Sequence, residues 1–129
     1  MMKESDISKI ENQGKSYDYS DQIILNKNNK SYFFKLSSLV QIEAERQYSK
    51  VFTKNDEIFI MRKALNDWEK ILPPNNFIRI HRSRIINIEF IDAILKDSEG
   101  TYKLKIKKLN IDFVISRNYL KKIKSFFKI

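Results

Sequence analysis

The segment FIRIHRSRIINIEF, residues 77–90, sets a cluster of cationic side chains among apolar ones. Within six positions it holds Arg79, His81, Arg82 and Arg84, and isoleucine and phenylalanine surround them. If the apolar neighbours anchor this segment in the core, the charged heads project from a rigid edge. An arginine held in this way can bond guanine O6 and N7, or a phosphate, through two parallel hydrogen bonds. A single arginine is more often solvated or ion-paired, but three so close together favour a binding function.

The residue types exclude most kinds of enzyme site. The chain has no cysteine and one histidine, which removes thiolate chemistry and histidine-rich metal sites. Gly14 and Gly100 are the two glycines, so the sequence has no glycine-rich phosphate loop. His81 and Ser83 could join any of 16 carboxylates in a triad, but no nucleophile-elbow motif accompanies them. We expect no catalysis, no metal and no cofactor.

The charge balance indicates an anionic partner. Lys and Arg number 25 against 16 Asp and Glu, which leaves a net charge of +9. This balance is typical of proteins that bind nucleic acid or an acidic membrane surface, although lysines also serve solubility alone. No apolar run approaches the roughly 18 residues of a membrane helix, and the polar N-terminus lacks a secretory signal. We therefore expect a cytoplasmic protein without membrane insertion.

The elements that position these residues form one domain, as the length of 129 residues suggests. Residues 1–20 are polar and predict a flexible tail, and residues 21–129 predict the folded domain. Turn-forming residues at Lys27–Lys30 and at Lys54–Glu57 predict two hairpins. Between the hairpins, apolar and polar residues alternate over 40–45 and predict a half-buried strand.

Two helices and three further strands complete the pattern. The segment RKALNDWEKIL has helical apolar spacing and ends at Pro73-Pro74. FIDAILKD, TYKLKIK and DFVIS predict three strands, and Ser116 is the expected N-cap of a C-terminal helix. The apolar stripe of that helix comprises Tyr119, Leu120, Ile123, Phe126 and Phe127. The sequence therefore predicts a mostly β (α+β) domain of short antiparallel strands with one mid-chain helix and a C-terminal helix.

Several blocks resemble the LytTR family of DNA-binding domains, over about residues 23–127. NNFIRIHRSRIINIEFIDAI is similar to the signature Phe-x-Arg-x-His-Arg-Ser-x-x-Val/Ile-Asn-x-x-x-Ile. LVQIEAERQYSKVFT resembles the upstream strand and loop of the family, and KALNDWEKILPPNNF its helix before Leu-Pro. ISRNYLKKIKSF resembles the closing Ser-Arg-x-Tyr and the basic helix. One departure is Arg84, where the family often has an aromatic residue.

The resemblance implies that loops, and not a recognition helix, enter the DNA grooves. Three segments become candidate reading loops: Tyr48-Ser49-Lys50, His81-Arg82-Ser83 and Arg117-Asn118. From their chemistry we expect Arg82 and Arg117 to contact base edges. Phosphates or neighbouring edges are expected to be contacted by Lys50, Ser83, Asn118 and Lys121.

Three further residues of the signature have their own interpretations. Arg84 adds a charge to the second loop and is expected to alter its phosphate contacts. His81 either contacts DNA or orders its loop by a hydrogen bond. Asn87 is expected to cap or tie a turn.

The resemblance also implies a bacterial, sequence-specific regulator of transcription, bound as two copies to tandem direct repeats of double-stranded DNA. Members of the family usually carry an N-terminal phosphoacceptor receiver domain, for which 129 residues leave no room. The expectation is a stand-alone domain controlled by its abundance or by a regulatory protein partner. An output domain cut from a longer response regulator is the competing explanation.

Two other functions remain open on the sequence alone. The basic C-terminal helix predicts, as the main alternative, a module that docks on a protein partner or a membrane surface. Binding of single-stranded RNA by aromatic stacking is a third interpretation, but few aromatic residues adjoin the basic loops.

Overall fold

A computed structural model of the chain describes residues 17–107, 109 and 111–129. Residues 1–16 of the predicted tail lie outside the described residues, and residues 17–20 lie within them. Its last residues are packed against the domain: Tyr17 is buried, and its N–H donates to the carbonyl of Ile71 over 2.7 Å. Among the described residues, packing against the domain therefore includes Tyr17.

Ten short strands and two helices follow one another along the described residues. The strands are β1 (Gln22–Lys27), β2 (Lys30–Lys35), β3 (Leu39–Glu45), β4 (Tyr48–Thr53), β5 (Ile58–Met61), β6 (Phe77–His81), β7 (Arg84–Asn87), β8 (Ile91–Lys96), β9 (Tyr102–Ile106) and β10 (Asp112–Val114). The helices are α1 (Leu65–Ile71) and α2 (Arg117–Phe127). The prediction of a mostly β domain with one mid-chain helix and a C-terminal helix is confirmed.

The strands form three antiparallel sheets. β1 and β2 form a hairpin, the central sheet has the order β5-β4-β3-β7-β6, and the third has the order β10-β9-β8. The first predicted hairpin is confirmed, and its two turn residues Asn28 and Asn29 have φ values of 51° and 62°. Positive φ at both positions suits the tight turn that matches the twist of paired strands, and asparagine tolerates this conformation better than most residues.

The middle of the five-stranded sheet is covered on both faces. One face packs against α1 and the β1-β2 hairpin, and the other against the three-stranded sheet and α2. The first core includes Leu25, Ile42, Val51, Phe59, Trp68 and Ile85, and the second includes Val40, Ile80, Ile86, Leu104, Ile106 and Ile123.

The central strand β3 departs from the predicted half-buried pattern. All four residues from Leu39 to Ile42 are buried, including Gln41. Alternation of polar and apolar residues predicts one wet face, but β3 lies between β4 and β7 with packed layers on both sides. Its polar Gln41 is satisfied by a hydrogen bond from Arg84 over 2.6 Å.

Helix α2 packs against the domain through Ile123, which has no exposed surface. Tyr119, Leu120 and Phe127 are partly buried against the second core, whereas Phe126 is 38% exposed. Ser116 stands at the N-cap position as predicted, but its side chain makes no capping bond. No helix within the described ranges is long and apolar enough to cross a membrane.

Asn87 ties a turn, as expected. Its side chain is buried, its Nδ2 donates to the Leu39 carbonyl over 2.7 Å, and its Oδ1 accepts from the Glu89 N–H over 3.1 Å. The Tyr19 hydroxyl also donates to Asn87 Oδ1, over 3.0 Å. Burial raises the pKa of Tyr19 to about 12. These bonds join Tyr19, which precedes β1, to the end of β7.

Candidate nucleic-acid interface

Two turns lie side by side at one end of the five-stranded sheet. Glu43 of β3 pairs with Lys50 of β4 on one side and with Arg84 of β7 on the other. One residue further along β3, the Ala44 N–H donates to the carbonyl of Ser83 over 2.8 Å. The β3-β4 turn and the β6-β7 turn are therefore neighbours, so the first two predicted loops come together.

The start of α2 lies beside the same end. The Ser116 N–H donates to the carbonyl of Ile80 over 2.9 Å, one residue before β6 ends at His81. In the first turn of α2, the ring of Tyr119 lies 5.8 Å from the guanidinium of Arg79. The structure thus places all three predicted loops at one end of the domain, although they are far apart in sequence.

Access to solvent separates the predicted residues into three groups. The exposed residues are Tyr48, Arg82, Arg117, Asn118 and Lys121. The half-buried ones are Lys50, His81, Ser83 and Arg84. Ser49 has no exposed surface.

The predicted role of Ser49 requires correction. Its hydroxyl accepts a hydrogen bond from Trp68 Nε1 over 2.7 Å, inside the first core. Successive side chains of a strand point to opposite faces, so Ser49 faces α1 while Tyr48 and Lys50 face away from it. The Ser49 side chain therefore anchors α1 to the sheet and is not accessible in this structure.

His81 closes the β6-β7 turn. Its Nδ1 lies 2.8 Å from Ser83 Oγ and accepts from the Ser83 N–H over 3.2 Å. A backbone donor aimed at Nδ1 requires that nitrogen to be the acceptor, which leaves the proton of neutral histidine on Nε2. The loop-ordering role, one of the two expected for His81, is therefore present. Arg82 stands exposed between these two bonded residues.

Arg84 was predicted to add a charge to the second loop, but its side chain packs against the domain. Its guanidinium donates to Gln41, lies 3.4 Å from the carboxylate of Glu43, and stacks on Phe113 with 3.9 Å to the ring centroid. Burial lowers the pKa of Arg84, and the charge of Glu43 opposes this shift. Because Phe113 belongs to β10, Arg84 links the central sheet to the three-stranded sheet. Its charge is used inside the domain.

The β3-β4 turn carries a cation that the sequence interpretation missed. Arg46 is exposed and has a φ of 58°, in the left-handed region, so it occupies the bend itself. Beside it, Lys50 pairs with Glu45 over 3.0 Å, and this bond raises the pKa of Lys50. Arg46 lies in the stretch AERQ, residues 44–47, directly before the predicted loop that begins at Tyr48, and this position was the signal that could have identified it.

The candidate interface is rich in cationic side chains and poor in carboxylates. Across the described parts of the chain, no group of three or more His, Asp or Glu side chains could hold a metal ion. The candidate interface consists instead of cationic and hydrogen-bonding side chains on a rigid sheet end, and that chemistry suits phosphates and base edges.

Comparison with known proteins agrees with this geometry. Residues 29–128 match the LytTr DNA-binding domain. The chain is 23% identical to a solved LytTr DNA-binding domain from a Bacillus cereus protein described as a methyl-accepting/DNA response regulator, with a TM-score of 0.75 over 84% of this chain and 97% of that one. This likeness shows the shared fold. The chain belongs to the LytTr DNA-binding domain family.

Similar full-length proteins are considerably longer. The transcriptional regulatory protein YpdB of Escherichia coli K12 is 28% identical over 105 residues, which cover 81% of this chain and 43% of YpdB. The sensory transduction protein LytT of Bacillus subtilis is 41% identical over 74 residues, which cover 57% of this chain and 30% of LytT. The chain therefore spans less than half the length of these relatives.

Proposed function

We propose that this chain binds double-stranded DNA at specific sequences and thereby regulates transcription, in the cytoplasm. The observation that carries the proposal is the convergence of three exposed arginines, Arg46, Arg82 and Arg117, on neighbouring segments at one end of the domain. A net charge of +9 adds a long-range attraction for the DNA backbone. Membership of the LytTr DNA-binding domain family agrees with both features.

Arg82 and Arg117 are the proposed base readers. Arg82 stands at a turn that the His81–Ser83 bond closes, and Arg117 is the first residue of α2. Both side chains are exposed, and a guanidinium can bond the O6 and N7 atoms of guanine together. The backbone around both arginines is already hydrogen-bonded to the sheet. Binding therefore costs little free energy for ordering these segments.

The remaining polar residues of this end are proposed to hold the phosphates. The proposed set is Arg46, Tyr48, Lys50, Ser83, Asn118 and Lys121. Contacts of this kind fix the register of the protein on the duplex without reading sequence. Ser49 and Arg84 are left out because their polar groups are engaged inside the domain.

Docking through the C-terminal helix is the second candidate. Phe126 and Ile129 are 38% and 59% exposed, which leaves some apolar surface at the end of α2. However, α2 already buries Ile123 in the second core. A hydrogen bond from the Ser116 N–H to the carbonyl of Ile80 also joins the start of α2 to β6. A regulatory protein partner at this end of the helix would be compatible with DNA binding at the other.

We further propose that two copies bind tandem direct repeats of duplex DNA. One small domain with three short reading segments covers few base pairs, which gives too little discrimination against a genome of competing sites. A second copy on an adjacent half-site supplies additional free energy. Direct repeats need no two-fold dimer in solution, because both copies face the same direction.

Helical phasing tests this arrangement. Inserting about five base pairs, half a turn, between the half-sites should rotate one copy away and abolish cooperative binding, and about ten should partly restore it. Gel-shift titrations with single and paired half-sites measure the cooperativity at each spacing. If both insertions leave binding unchanged, each domain binds alone and the proposal of paired copies is wrong.

A further inference from the structure

Arg79 lies directly behind the β6-β7 turn and bonds to its backbone. Its Nε donates to the carbonyl of His81 over 3.2 Å, and its Nη2 donates to the carbonyl of Arg82. The side chain is 9% exposed, so its guanidinium faces the domain. The two carbonyls belong to the last residue of β6 and to the exposed arginine of the turn.

The other side of the same guanidinium is fixed by both helices. Its Nη1 donates to Asn66 Oδ1 and to Glu69 Oε1, the latter over 3.2 Å, and both acceptors belong to α1. The ring of Tyr119 in α2 lies 5.8 Å from the guanidinium carbon. One planar group therefore connects the β6-β7 turn to α1 and to the start of α2.

We propose that Arg79 is a positioning residue for sequence reading: it holds the turn that presents Arg82 and does not itself contact DNA. This inference rests on the function proposed above. Four hydrogen bonds occupy the guanidinium, which has five N–H donors in all. Little donor capacity is left for a phosphate. A lysine in this place would keep the charge but could not reproduce a planar fork that reaches both the turn and α1.

Loss of positioning has a different signature from loss of charge. Binding to random duplex depends on the number of cations near phosphates and tolerates small changes of loop conformation. Reading a base edge requires the hydrogen-bonding group to be held within about half an ångström. Without Arg79, the exposed Arg82 keeps its charge but loses its fixed direction, so discrimination between duplexes should fall while general affinity persists.

The test compares wild type with Arg79→Lys on a preferred and a random duplex over a range of salt. We expect the variant to lose about ten- to a hundredfold of its affinity for the preferred duplex, as removal of supporting contacts does at other preorganised sites. Affinity for random duplex should stay within about threefold, and the dependence of log K on log salt should be unchanged. Thermal unfolding of each protein fixes a common temperature at which both are folded.

A second variant covers the case in which Arg79→Lys does not fold. The double change Asn66→Ala with Glu69→Gln removes the supports on α1, leaves Arg79 and the turn intact, and alters residues on the surface of α1. It should reduce discrimination in the same direction by a smaller factor. If whichever variant folds still prefers the preferred duplex over random duplex as strongly as wild type does, the proposal is wrong.

Two other results would also contradict the positioning role. Equal losses on both duplexes, or a salt slope smaller in magnitude by about one, would identify Arg79 as a direct phosphate contact. The wild-type measurement separates the two levels of inference. If wild type prefers no duplex, the proposed function fails and the role of Arg79 fails with it. If wild type discriminates and the variant does so equally, only the role of Arg79 is wrong.

Discussion

Replacing Arg82 or Arg117 by alanine is expected to weaken binding to the preferred duplex by about 1–3 kcal/mol, the cost of losing one bidentate base contact. Binding to random duplex should fall much less, because only one of many cations is lost. Both side chains are exposed and lie on segments bonded to the end of the sheet. Truncating either of them therefore leaves the core intact and removes a reading group.

Lys121→Ala is the matched control for this pair of variants. Lys121 is exposed on α2, one turn beyond Arg117, and its proposed contact is a phosphate. Its removal should weaken preferred and random duplexes alike and reduce the magnitude of the salt slope by about one. Equal losses on the two duplexes for both arginine variants would contradict their assignment to base edges. Titration of each protein with both duplexes measures these differences.

Trp68→Ala is expected to destabilise the domain by about 3–5 kcal/mol, the usual cost of truncating a buried aromatic side chain. Trp68 is 2% exposed and packs in the first core, where α1 meets the five-stranded sheet. Its loss also leaves the buried hydroxyl of Ser49 without its donor, which adds to the cost. Chemical denaturation measures the change in the free energy of unfolding.

Phe126→Ala supplies the comparison for Trp68. From the sequence alone, both aromatic residues are expected to be buried in helix stripes, but Phe126 is 38% exposed. We therefore expect it to cost clearly less than Trp68→Ala, in line with its smaller burial. An unchanged free energy of unfolding in Trp68→Ala would mean that α1 does not hold the first core together.

Local patterns were sufficient to predict most elements of the fold, although not β6 and β7. The asparagine turn of the first hairpin, the proline pair after α1 and the apolar spacing of α2 each act over a few residues, and each prediction is confirmed. The burial of Gln41 could not be predicted in this way. It depends on β3 lying between β4 and β7, and pairing between strands distant in sequence has no local signal.

The structure brings the three predicted loops to one end of the domain, but the sequence did not predict which of their side chains are exposed. Tyr48, Ser49 and Lys50 share one loop in the sequence, yet the alternation of β4 turns Ser49 into the core. Arg79 and Arg84 look equivalent to Arg82 in composition, but each finds acceptors on elements remote in sequence. Which arginine of a cluster is exposed depends on those partners, so tertiary structure was needed to distinguish the exposed Arg82 from its neighbours.

Selection of binding sites from a pool of random duplexes tests the central claim most directly. We expect enrichment of one consensus containing guanines, bound by the unmodified chain. If about six cations neutralise phosphates, log K on the selected duplex should fall with log salt at a slope near −5. Failure to enrich any sequence, together with a salt slope close to zero, would contradict a sequence-specific DNA-binding function for this chain.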